Sequence, residues 1–288
     1  MGRKKQLTET MYIQMSGEEF YKTLAEIVLS TTVEENGKTV IKNVTLGRFL
    51  GAGTMGGVVE GTYEGKPVAV KILDPDLAKK KEFKERFAKE VKTTLELPDN
   101  ENLLKAYFGG ADKGLDYLVT EFVPHIPLDK GKNEAGKPFP LDYACEVIKK
   151  AGRGLAAAHQ TFKAHRDIKP ANILASDTAT IVKLADFGLI KDYSGGMTQT
   201  TVNNQIVGSP AYMAPEQIRG QANTHSDQYS LGATFYQLVT GVPPFDAESI
   251  AAILDMIKED NPKEPRLINP EITPEINDMI LRTLAKDW

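Results

Sequence analysis

With 288 residues, 41% of them hydrophobic and 26% charged, the chain has the composition of an ordinary soluble globular protein and enough length for two lobes. A net charge of −4 gives no global field toward nucleic acid or membrane, so neither is expected as a partner and binding has to come from a local site. One cysteine (Cys145) and four histidines exclude a disulfide framework and argue against a zinc site, and no apolar run reaches the ~18 residues of a membrane span. MGRKKQLTETM lacks the apolar core of a secretory leader, and Gln6 stands where an acylation motif needs Ser or Thr; the expectation is a cytoplasmic protein without membrane insertion.

Residues 1–37 read as an N-terminal extension. Ser16 and Glu19 suggest a capping box, and Phe20, Leu24, Ile27 and Val28 recur at helical spacing, which predicts one amphipathic helix over 17–30, packed on its own domain. From 38 to 120 the pattern turns to short β-type runs, TVIKNVTLGRFL, GGVVEGTYEG, KPVAVKIL, LLKAYFG and LDYLVTEFV. They predict a five-stranded antiparallel sheet carrying one helix, KEFKERFAKEVKTTLEL. On that helix Glu90 shares a face with Phe83, Phe87, Val91 and Thr94, and a carboxylate on a buried face needs a cationic partner. A hinge is expected at 121–126. PHIPLDKGKNEAGKPFP then reads as a loop, and from 127 to 288 helices dominate, the one through SDQYSLGATFYQLVTG ending at Gly241 as a C-cap.

LGAGTMGGV carries Gly51, Gly53 and Gly56 in G-x-G-x-x-G spacing. Glycines let a backbone approach phosphate oxygens, but the same spacing also suits a plain hairpin turn. A dinucleotide fingerprint would run into a helix, whereas here another strand follows; GTYEGKP is one residue short of a P-loop and has Pro67 where the metal-binding hydroxyl belongs. A β-hairpin lid over phosphates remains, followed by VAVK, whose Lys71 can pair with Glu90. Downstream, HRDIKPAN places His165, Arg166, Asp167, Lys169 and Asn172 where a phosphotransfer signature fixes them, a match whose chance probability is on the order of 10⁻⁴. KLADFGLI supplies Asp186, and AYMAPEQ supplies the triplet 214–216.

Taken together and in this order, the motifs resemble those of the eukaryotic-type protein kinases, and TQT at 198–200, GSPAYMAPEQIRG and DQYSLGATFYQLVTGVPPF are most similar to the bacterial eukaryotic-like Ser/Thr kinases. The resemblance implies an α+β, bilobal protein kinase fold and transfer of the ATP γ-phosphate to Ser/Thr hydroxyls of proteins, chemistry that is mostly positioning and charge neutralisation. By resemblance, Lys71, fixed by Glu90, holds the α- and β-phosphates; Asn172 and Asp186 ligate Mg²⁺, with Mn²⁺ as a substitute. Asp167 accepts the proton of the acceptor hydroxyl, and Lys169 reaches the transferring phosphate and marks the Ser/Thr class. Leu50, Val58, Ala69 and Leu174 border the adenine, the Glu121 and Val123 backbones meet its edge, and Thr120 is a small gatekeeper. Arg166 implies control by activation-loop phosphorylation, with Thr198 and Thr200 as the candidate sites. The alternatives are a nucleotide-binding pseudokinase or scaffold and a small-molecule phosphotransferase. Against the first stand Lys71, Asp167 and Asp186, all retained; against the second, Arg166 and the APE segment.

The chain departs from the family pattern in four places. Pro127 and Ala171 stand where arginine-directed relatives often carry acids, and GSPAYMAPE lacks the arginine of proline-directed relatives, so neither preference is expected. The loop 124–140 replaces a helix near the ribose. Thr94 and Ala106 stand where bulky side chains normally pack, which suggests that a second copy, an activating partner or the N-terminal helix supplies the missing surface. The chain stops at LAKDW, ahead of the arginine that in relatives pairs with the APE glutamate, here Glu216; a truncated C-terminal end is expected.

Overall fold

In the β-runs between residues 56 and 73 every second side chain is buried, and this alternation gives one sheet two differently used faces. The computed structural model describes residues 18–53, 55–129, 136–161, 164–187 and 210–286. It divides into two units, Met1–Glu96 with Lys105–Phe122, and Leu97–Leu104 with Val123–Trp288.

The first unit runs α1 (Glu18–Lys22), β1 (Val28–Glu35), β2 (Lys38–Ala52), β3 (Gly56–Tyr63), β4 (Lys66–Leu73), α2 (Pro75–Ala78), α3 (Lys81–Leu95), β5 (Ala106–Asp112) and β6 (Leu115–Glu121). The strands form one antiparallel sheet in the order β1-β2-β3-β4-β6-β5. This corrects two expectations: the sheet has six strands rather than five, and the helix over 17–30 is five described residues long. The turn after α1 is closed by short-range bonds (Thr23 N to Phe20 O, Ile27 N to Leu24 O), and Glu26 adopts a left-handed φ of 69°, which ends helical geometry. Beyond it the run VLSTTV, rich in β-branched residues, pairs in register with β2, from Val28 opposite Thr45 to Glu35 opposite Lys38.

One face of the sheet is the core. Val59, Val68, Val70, Ile72, Phe108, Tyr117 and Val119 pack there with Val44 and Leu46 of β2, Leu29 of β1, and Phe20, Tyr21 and Leu24 of the N-terminal segment. The two outer strands also meet: Ser30 N–H of β1 donates to Asp112 Oδ2 at the end of β5 (2.8 Å), Lys113 Nζ reaches Val28 O (2.7 Å), and Gly110 is packed so closely by Thr31 that a Cβ there would lie 2.6 Å from its Oγ1. The opposite face carries α3, whose Val91 occupies the space a Cβ on Gly109 would need.

The second unit contains α4 (Leu141–His159), the two-stranded β7 (Ile173–Ala175) and β8 (Val182–Leu184), α5 (Pro215–Ile218), α6 (Thr224–Thr240), α7 (Ile250–Glu259) and α8 (Pro274–Thr283). The largely buried α6 is capped by Asn223 at its start and ends at Gly241, φ 83°, the C-cap that the sequence predicts. Residues 97–104 belong here because they are bolted to β8: Leu104 N donates to Leu184 O, Leu184 N to Asn102 O, and Asn102 Nδ2 to Val182 O. In the first turn of α6 lies Asp227, fully buried. Its carboxylate accepts the backbone N–H of His165 (2.8 Å) and of Arg166 (2.6 Å) and meets Nε2 of His159 (2.8 Å). Removing this acceptor leaves the buried His165 N–H and the two part-buried groups at Arg166 and His159 without it. Asp227→Ala is therefore expected to destabilise the chain by about 2–4 kcal/mol, read as a lower urea midpoint; an unshifted midpoint would contradict this role.

Candidate active site

In the first unit, the predicted site residues fall on the sheet face that carries α3. Val58 lies opposite Lys71, Lys71 opposite Leu118, and Ala69 opposite Thr120, so Val58, Ala69, Lys71 and Thr120 share one face by strand pairing alone. The buried Thr120 hydroxyl donates to Ala69 O (3.4 Å). Lys71 Nζ meets Glu90 Oε1 at 2.5 Å, the partner the buried face of α3 requires, and the Glu90 side chain is only 3% exposed. The pair is asymmetric, for Lys71 keeps 23% of its side chain exposed and can face a ligand while Glu90 fixes its direction.

The glycine hairpin closes β2 onto β3. Gly53 N–H donates to Gly56 O (2.7 Å), and Met55 O accepts Asp74 N–H (2.9 Å), tying the loop to the end of β4. A Cβ at Gly56 would lie 2.0 Å from Ile72 O, so only glycine fits there. Between Phe49 and Gly51 the register slips by one residue; the extra one is Leu50, which is 39% exposed. At the end of β6, Glu121 N–H donates to Lys105 O (2.9 Å), and the Glu121 side chain accepts Lys105 N–H through Oε1 (2.8 Å), which orders that backbone.

In the second unit, the HRDIKPAN run becomes a hydrogen-bonded turn closed by a 3-10 helix over Pro170–Asn172. Asp167 is buried, and its Oδ2 accepts Lys169 Nζ (2.9 Å) and Asn172 Nδ2 (3.1 Å); Asn172 Nδ2 also donates to Asp167 O (2.7 Å). These three residues are thereby brought together as the sequence predicts. His165 Nδ1 accepts Asp167 N–H, so its proton sits on Nε2, which donates to Ala185 O (2.8 Å) next to Asp186. Its ring rests against Phe187, with centroids 4.4 Å apart. Arg166 and Asp186 both hold left-handed φ values, 64° and 61°, a strain sustained at Arg166 by Asp227 below and by Gln217 Nε2 on its carbonyl. Leu174 stands on β7 opposite Lys183, and the Val123 carbonyl is met by His125 Nδ1 (2.8 Å).

The donor set suits a hard cation. With the Asn172 side-chain nitrogen committed to Asp167, its side-chain Oδ1 is the atom left for a metal, and Ala185 N–H donates to the backbone oxygen of Asn172, linking it to the segment that runs from β8 into Asp186. Among the described residues no cluster of three His, Cys, Asp or Glu side chains marks a soft-metal site. Burial, and then the Asp142 charge, push the Cys145 thiol up. Glu216 accepts the Ser226 hydroxyl (2.6 Å), so this carboxylate has a donor within the chain. Thr198, Thr200 and Gly188 lie outside the described residues. Sequence reading passed over Asp227 and Gln217; the acid in SDQYSLG had no distinguishing local pattern, because its function exists only once it meets residues about sixty positions earlier.

The family profile described as "Protein kinase domain" matches residues 44–288. Serine/threonine-protein kinase PrkC of Bacillus subtilis is 34% identical over 255 residues, which is 87% of this chain and 38% of that protein. Serine/threonine-protein kinase PknB of Mycolicibacterium smegmatis is 34% identical over 252 residues, 84% of this chain and 39% of that protein. The chain thus spans about two-fifths of the length of these curated relatives. A crystal structure of the PknI kinase domain from Mycobacterium tuberculosis has a TM-score of 0.63 at 24% identity, covers 89% of each chain, and shows the same fold. With the profile spanning residues 44–288 and more than 30% identity over more than four-fifths of its length, this chain belongs to the protein kinase family.

Proposed function

We propose that this domain is a Ser/Thr protein kinase that transfers the γ-phosphoryl group of ATP to protein hydroxyls. The observation that carries the reading is the buried Asp167 with Lys169 and Asn172 on one of its oxygens. A carboxylate held in this way is preorganised to accept the hydrogen bond, and then the proton, of an incoming Ser or Thr hydroxyl. Lys169 adds a cation beside the oxygen nucleophile, where charge passes to the phosphoryl group.

The remaining roles follow the same reading. Lys71 holds the α- and β-phosphates, and the backbone of Gly51, Gly53 and Gly56 covers the phosphates. Leu50, Val58, Ala69 and Leu174 border adenine, Thr120 limits its depth, and the Glu121 and Val123 backbones meet its polar edge. Asn172 and Asp186 would hold Mg²⁺, with Mn²⁺ as a substitute, and the ion supplies neutralisation of phosphate charge when bound. For α3 a second copy or an activating partner stays in view: Thr94 is buried with its hydroxyl turned onto Glu90 O (2.8 Å), and Phe20, Tyr21 and Leu24 join the core face of the sheet rather than α3. No helix among the described residues is long and apolar enough to cross a membrane.

A regulatory reading rests on Arg166. Its Nε is buried and has no hydrogen-bond partner among the described residues, a costly arrangement that an anionic group would relieve. Phosphorylation of Thr198 or Thr200 supplies such a group.

Two experiments test these readings. Asp167→Asn is expected to lower phosphoryl transfer to a generic Ser/Thr protein by about 10²–10⁴-fold while ATP still binds; wild type that binds ATP without any transfer would instead mark a scaffold, and transfer surviving in the variant would remove Asp167 from its role. Peptide mapping after incubation with ATP and Mg²⁺ is expected to find phosphate on Thr198 or Thr200, and the double alanine variant to lose activity; full activity in that variant would end the regulatory reading.

A further inference from the structure

The glycine hairpin is gripped from the core side by a residue of the N-terminal segment. Tyr21 is 2% exposed, its ring stacks on Phe49 of β2 (5.6 Å, 15°), and Phe20 meets it edge-on (5.0 Å, 72°). The ring lies flat on the backbone of Gly57, so close that a Cβ there would be 2.7 Å from Cδ1, Cε1 and Cζ. Phe49 and Gly57 are not arbitrary points on the sheet. Gly57 pairs with Ala52, Phe49 pairs with Val59, and the hairpin of Gly51, Gly53 and Gly56 opens between these strands. The tyrosine therefore touches both strands at the base of the loop. The segment that delivers it is anchored independently, with Glu26 N–H donating to Leu46 O (2.8 Å), Leu46 N–H to Ile27 O (2.7 Å), and β1 held across to Asp112. Burial, followed by the Asp74 charge, raises the Tyr21 hydroxyl to about 12, so the ring stays neutral at ordinary pH.

We propose that Tyr21 is a positioning residue for ATP, its ring fixing the base of the glycine hairpin so that the loop's backbone donors are preorganised over the phosphates. The proposal rests on the reading of this hairpin as the phosphate cover. A flexible glycine loop gains freedom from its lack of side chains, and ordering it on binding costs conformational entropy. An aromatic plate beneath one of its strands removes part of that freedom before ATP arrives. The contact requires glycine at 57 and a flat ring at 21, a complementarity between residues 36 positions apart that no nucleotide contact at Gly57 would explain.

The test is steady-state kinetics with varied ATP on the full chain. Tyr21→Ala is expected to raise the KM for ATP about tenfold with kcat within about twofold, and Tyr21→Phe, which keeps the ring, to restore it. Gly57→Ala, which drives a methyl into the ring, is expected to be harmful in the wild type and much milder in the Tyr21→Ala background. Should Tyr21→Ala fail to fold, Tyr21→Leu keeps apolar volume without the flat plate and carries the same expectation. Gly53→Ser serves as the control for the hairpin itself. If Gly53→Ser raises the KM and the Tyr21 variants do not, the inference falls and the phosphate-cover reading stands; if neither does, both fall. A drop in melting temperature and kcat with an unchanged KM would show a structural role alone and overturn the proposal.

Discussion

A fully buried carboxylate has to be surrounded by donors, and the arrangement of the second unit depends on how Asp227 meets that demand. Two of its three donors are consecutive backbone N–H groups, at His165 and Arg166. Satisfying them fixes the chain direction at the start of the HRD turn and sustains the left-handed conformation of Arg166. From there the order passes outward through His165, whose ring links Asp167 N–H to Ala185 O, and through Asn172, which closes on both the backbone and the side chain of Asp167. The Asp167 carboxylate is thus aimed by a hydrogen-bonded relay that begins inside a core helix.

The first unit solves a different problem with one sheet. Alternation sends valines and aromatics to one side and Val58, Ala69, Lys71 and Thr120 to the other, so the side that makes the unit stable is separated from the side proposed to face ATP. Small residues act at the points of contact. Gly109 admits Val91 of α3, which brings Glu90 within reach of Lys71, and Gly57 admits Tyr21 from the core side. Each is a place where the absence of a side chain brings one element close to the next.

Much of the site was legible in the sequence because its residues are local in the chain. The HRDIKPAN turn joins its own members, the Lys71 strand and the Glu90 helix each show a clear period, and Gly241 ends α6 as its type suggests. The N-terminal segment was misread for a physical reason: Phe20, Leu24, Ile27 and Val28 satisfy a helical spacing, yet the last two are β-branched and lie next to a Ser-Thr-Thr-Val run that β2 can pair with. Tertiary pairing overrode the local period. Asp227 and Tyr21 were invisible for the opposite reason, since their roles lie in contacts with residues 61 and 36 positions away and no local spacing records them.

Open sheets carry two strands whose outward N–H and C=O groups can recruit another chain. Here those strands are β1 and β5, and they are turned toward each other: Ser30 N–H is taken by Asp112, Val28 O by Lys113, and Thr31 is packed on Gly110. The segment preceding the matched kinase region therefore does more than lengthen the sheet. It sets one exposed border against the other, and a chain lacking residues 28–35 would lose a safeguard against intermolecular strand pairing.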